Sequence, residues 1–151
     1  MTQMTPQMTP QTTQHAPAFL PAATHSYLDR AAESLREAIT STSVPERYAH
    51  AHVSALRATA ALLAARAQPV TPSRRQRQKN AWVLLAEVAP ELGEWATFFA
   101  SGAAKRAAAE SGSRRAVTER EADDLVRDAD RFLALVETSL GLTEHLPFRV
   151  A

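Results

Sequence analysis

The chain has no cysteine, only four glycines and few aromatic residues. The first absence excludes disulfide staples, thiolate catalysis and cysteine-ligated zinc or iron–sulfur centres. Scarce glycine, set against long alanine-rich runs, argues against a sandwich or barrel, because many tight turns would need glycine and strands favour β-branched side chains. No apolar run reaches the ~18–20 residues that span a bilayer. The N-terminus shows no positively charged region followed by an apolar stretch, so no secretory signal is read and the expected location is cytoplasmic. Net charge is only +1, so a nucleic-acid or membrane surface would have to come from local clusters rather than from the whole-chain field.

What is present is helix-forming. Within 151 residues there is room for one domain. Residues 1–22 repeat Met-Thr-Pro-Gln units and add Pro17 and Pro21. They are polar, proline-rich and nearly uncharged, which predicts a disordered tail. From Thr24, the residues Leu28, Ala31, Ala32, Leu35 and Ile39 recur at helical spacing. Ser43 and Glu46 then fit a capping box with Pro45 in the first turn, and Ala49, Val53, Leu56, Ala60 and Leu63 continue as a stripe to about Ala67. The short break predicts that these two helices are antiparallel neighbours.

Gln68 to Pro72 reads as a linker, with Thr71 as cap and Pro72 in the first turn of a third helix. Trp82, Leu85, Ala89, Leu92, Ala96 and Phe99 give that segment an apolar seam, and Pro90 must kink or divide it. Ser101-Gly102 either ends this helix or lies within its continuation, and Ser111-Gly112-Ser113 is a break. Thr118 and Glu121 form a second capping box, ahead of a last helix that Gly141 closes. The expectation is an all-α, up-and-down bundle of four to five helices over residues 23–141. An extended tail follows over 142–151, with Phe148 as an anchor.

Four clusters offer chemistry. Arg47 and His52 lie five positions apart near the start of the second helix. A guanidinium and an imidazole so placed could stabilise and protonate a phosphodiester, although such a pair also arises as ordinary helix surface. His50 and His52 are two apart and diverge on a helix, so no metal site is read and no cofactor is called for. The run Arg74, Arg75, Gln76, Arg77, Gln78, Lys79 carries four positive charges and no acid, a pattern that can follow a phosphate backbone. A weaker basic zone follows at Lys105, Arg106, Arg114 and Arg115. The aromatics Trp82, Trp95, Phe98 and Phe99 fit core packing better than base stacking. The acids Asp123, Asp124, Asp128 and Asp130 read as a solvated face or a surface for a basic partner.

The stretch from Tyr48 to Ala67, the preceding Tyr27-Leu28-Asp29-Arg30-Ala31, and the pattern Trp82…Pro90-Glu91-Leu92…Trp95…Phe98 together resemble a small actinobacterial family within the HEPN superfamily. The resemblance spans about residues 23–141. It implies a bundle of four to five helices, often homodimeric, in a superfamily whose members frequently bind or cleave RNA. Active members carry an Arg-x(4–6)-His motif near the start of a late helix. Here the late segment Arg114–Arg120 has no histidine, and the one match is Arg47…His52 in the second helix. The expected function is a non-catalytic binding or regulatory module that contacts RNA or another nucleic acid through Arg74, Arg75, Arg77 and Lys79. Two alternatives stand beside it. One is a metal-independent ribonuclease using Arg47 and His52; the other is a protein-partner subunit with no nucleic-acid role.

Overall fold

The structure is a computed structural model that describes residues 19–66 and 80–148, all of whose regular elements are helical. In chain order these are α1 (Ala22–Thr40), α2 (Val44–Arg66), α3 (Ala81–Val88), a 3-10 turn (Pro90–Leu92), α4 (Gly93–Ser101), α5 (Ala103–Glu110) and α6 (Glu119–Ser139). The expected linker and its Thr71–Pro72 start signal lie outside the described residues. The count exceeds four or five because two breaks are real. Pro90 has no N–H to continue the ladder and opens the 3-10 turn, and Gly102 separates α4 from α5. None of the described helices is long and apolar enough to cross a membrane.

α2 is the hub, touching α1, α3, α5 and α6. Its pairing with α1 follows from small side chains. Ala31, Ser34 and Ala38 face Ala51, Ser54, Ala55 and Ala58, all fully buried, so the two backbones can approach closely. Hydroxyls then bond across the gap: Ser54 Oγ donates to the Ala31 carbonyl at 2.7 Å and Thr24 Oγ1 to the Ala61 carbonyl at 3.0 Å. Residue numbers that rise on one helix as they fall on the other mark the antiparallel pairing. Where alanine leaves depth, α3, α4 and α6 fill it with Trp82, Leu85, Phe99, Phe132 and Val136.

The helix ends carry the sequence signals unevenly. The Thr118 box is complete: its hydroxyl accepts from the Glu121 N–H at 3.1 Å, and the Glu121 carboxylate returns to the Thr118 N–H. At Ser43 only half the box forms. Ser43 Oγ accepts from the Glu46 N–H at 3.4 Å, while the Glu46 carboxylate takes its bond from Ser41 Oγ instead. Thr118→Ala is therefore expected to cost about 1 kcal/mol in urea denaturation, and no loss would show that the cap contributes nothing.

Gly112 and Gly141 sit at positive φ, 84° and 75°. Each follows a helix, and each closes it with the paired bonds of a Schellman turn, such as Leu142 N–H to the Glu137 carbonyl. Beyond Gly141 the chain runs without helix to Phe148, which packs against the core beneath the Arg36 guanidinium. His145 fastens this segment to α6, with one ring nitrogen on Asp130 and the other on Glu137. Burial opposes its charge, but the two carboxylates outweigh burial and raise its pKa above the ordinary histidine value.

Candidate functional site

Arg47 and His52 share α2 but serve different neighbours. The Arg47 guanidinium donates from Nη1 to Asp123 at 2.5 Å and from Nη2 to the Ser41 carbonyl at 3.1 Å. It thereby ties the α1–α2 turn to α6, and its Nε is buried with no hydrogen-bond partner among the described residues. His52 is only 1% exposed. Its ring stands edge-on to Trp82 and Phe99, with centroids 5.7 and 6.0 Å away. Nε2–H donates to the Phe99 carbonyl at 3.1 Å, which leaves Nδ1 as a buried lone pair with no partner among the described residues. Burial chiefly lowers the His52 pKa and keeps the ring neutral.

His52 lines a cleft that Arg47 does not reach. α2 contributes Tyr48 and His52, the α4–α5 junction contributes Phe98, Phe99, Gly102 and Lys105, and α6 contributes Glu121, Asp124, Leu125 and Asp128. The volume is about 340 Å3. Gly102 makes room for it: a Cβ there would sit 3.0 Å from the Tyr48 hydroxyl and 3.7 Å from the His52 ring. Tyr48 is 5% exposed, and its hydroxyl meets no hydrogen-bond partner among the described residues. Burial is the main cause of its raised pKa, with Lys105 and Glu121 acting on it in opposite senses.

Charge in the cleft is unevenly answered. Lys105 pairs with Glu121, and Arg127 with Asp124 at 3.0 Å. Asp128 makes no ion pair or hydrogen bond among the described residues, and partial burial pushes its pKa up. The sequence could not single out Tyr48, Gly102 or Asp128, because they come from three separated segments and only packing joins them. Asp128 is legible there only as one of four acids on a helix, and Gly102 only as a lone glycine after Ser101.

The acidic set on α6 divides in the same way. Asp123 and Asp130 are tied inward to Arg47 and His145, whereas Asp124 and Asp128 face the cleft. In the weaker basic zone, Lys105 and Arg106 are paired with Glu121 and Glu110, and Arg114 and Arg115 are exposed. The run Arg74, Arg75, Arg77 and Lys79 lies outside the described residues and ends one position before Asn80. Asn80 caps α3, its side chain accepting from the Val83 N–H at 3.0 Å. Trp82 and Phe99 are core residues, stacked with centroids 5.1 Å apart, while Phe98 is 44% exposed beside the cleft. Among the described residues no group of histidine and acidic side chains could hold a metal ion.

Residues 38–137 match the family model described as SAV_6107-like HEPN. No match was found among curated proteins or solved structures. The matched span runs from the end of α1 to the end of α6 and covers well over half the chain, taking in the α2 hub, the cleft and both Arg47 and His52. On that match, and on its wholly helical architecture, the chain belongs to the SAV_6107-like HEPN family.

Proposed function

We propose that this chain is a non-catalytic HEPN module that binds RNA, with Arg74, Arg75, Arg77 and Lys79 supplying the phosphate contacts. The observation that carries the non-catalytic reading is the employment of Arg47 and His52. The guanidinium is committed to Asp123 and Ser41, and the imidazole is packed among aromatics with its one N–H on a backbone carbonyl. A general acid or base must reach the substrate proton within hydrogen-bonding distance; the His52 ring, though it borders the cleft, is 1% exposed and its N–H is already bonded. The nucleic-acid reading rests on four cations and no acid immediately before the α3 cap. Action as a cytoplasmic homodimer belongs to the same proposal, on the family likeness, and sedimentation velocity tests the dimer.

Fluorescence anisotropy with labelled single-stranded RNA tests the ligand. Replacing all four basic residues by glutamine should weaken binding at least ~10-fold, and should flatten the slope of log affinity against log salt by about 3, at ~0.7 per lost phosphate contact on a single strand. Unchanged affinity and slope would overturn the assignment. Incubation with RNA should give no cleavage; cleavage that disappears in a folded His52→Gln protein would restore the ribonuclease reading.

A further inference from the structure

The cleft beside Tyr48 has the wrong charge for a phosphate and the right features for a planar cation. Asp128 is a partly buried carboxylate with no ion partner among the described residues, and Arg131, Arg127 and Asp124 are the charged groups that act on it. Arg127 is bonded to Asp124, and the Arg131 guanidinium lies over the Trp95 ring, 5.9 Å from its centroid. Tyr48, 95% buried by its 5% exposure, brings a hydroxyl with an unused acceptor to the same cleft. Phe98 offers an exposed ring at its rim. A guanidinium satisfies all three at once: it gives two parallel N–H bonds to a carboxylate, spares further N–H groups for an oxygen acceptor, and stacks on an aromatic face.

The cleft also continues. A second hollow of about 290 Å3 shares Phe98 and Asp128 with it and adds Glu94 and Trp95. One small cation would fill only the first hollow. A groove with Asp128 and the Tyr48 hydroxyl in one hollow, and Trp95, Phe98 and Glu94 in the next, fits an extended chain with adjacent cationic and apolar side chains.

We propose that this groove docks a basic peptide segment of a protein partner, seating one arginine against Asp128 and Tyr48 and the neighbouring apolar side chain against Phe98 and Trp95. The site is independent of the RNA reading, since it uses neither the basic run nor a phosphate. It assigns a role to Asp128 and to the Tyr48 hydroxyl, neither of which makes a hydrogen bond or ion pair among the described residues.

Isothermal titration calorimetry of the full chain with acetyl-Leu-Arg-Leu-amide tests this. Saturable binding is expected, and the citrulline counterpart, isosteric but uncharged, should bind at least ~10-fold more weakly for loss of charge-assisted bonds. Asp128→Asn should lower affinity to a similar degree and Tyr48→Phe several-fold, with both proteins retaining wild-type circular dichroism. Equal affinity for arginine and citrulline peptides would overturn the proposal, and that comparison needs no variant. Wild-type affinity in both variants, or no binding of the arginine peptide at all, would overturn it too. Agmatine binding as tightly as the peptide would make the ligand a free cation and refute the peptide groove.

Discussion

Phe99→Ala is expected to destabilise the fold by about 3–5 kcal/mol, the largest loss at any single position considered. Phe99 is 1% exposed and stands at the centre of the aromatic core. Its ring stacks on Trp82, meets Phe132 at 5.1 Å and lies within 6.0 Å of Trp95. The loss therefore combines buried area with a cavity that these three rigid neighbours cannot collapse to fill. Because a domain of this size is stable by only ~5–15 kcal/mol, the variant should sit near the threshold of folding. Urea denaturation followed by tryptophan fluorescence gives the number directly. A loss under about 1 kcal/mol would mean that the surrounding helices repack freely, against the usual behaviour of dense cores.

His52→Ala comes second, at about 3 kcal/mol from lost packing together with the lost bond to the Phe99 carbonyl, which keeps the Gly102 N–H. His52→Gln should cost less, since its amide can donate to the same carbonyl. The glutamine variant also exposes a pH signature. Burial holds the folded-state pKa of His52 below the ordinary value near 6.5. Below that ordinary value the unfolded chain binds a proton that the native state resists, so His52 makes the native state lose stability as pH falls. The advantage of wild type over His52→Gln should accordingly shrink on acidification through that window. His145 runs the other way: its raised pKa makes its contribution complete below about 6.5 and lost as pH climbs through the folded value. Because both proteins keep His145, it cancels in the comparison. A wild-type advantage that does not change between neutral and mildly acidic pH would show that His52 is not held neutral by burial.

Arg47 and His52 also bear on what the family likeness means for this chain. Arg47 and His52 have the sequence spacing of an RNA-cleaving pair, yet both are built into the bundle, one as a tie between the α1–α2 turn and α6, the other as a core ring. The destabilisation expected of His52→Ala means that lost activity in that variant would not identify a catalytic residue. The milder glutamine substitution separates the two roles.

The amino-acid sequence by itself determined the helical class, the α1–α2 hairpin and most of the helix ends. Those features are local: apolar residues at helical spacing, the Thr118–Glu121 box, Pro90, and glycines at 112 and 141 act within a turn or two of where they stand. Their physics needs no distant partner. Tertiary structure decided everything about the cleft and the fate of the Arg47–His52 pair. Asp123, which claims the guanidinium, lies 76 positions from Arg47, and Phe99, which claims the imidazole, lies 47 from His52. The half-formed box at Ser43 shows the same limit on a smaller scale, since Ser41 competes for the carboxylate that spacing assigned elsewhere. Spacing along one helix fixes which residues share its edge. Which of them stay free to meet a ligand depends on groups brought from other helices, and only packing places Tyr48, Gly102 and Asp128 around one cleft.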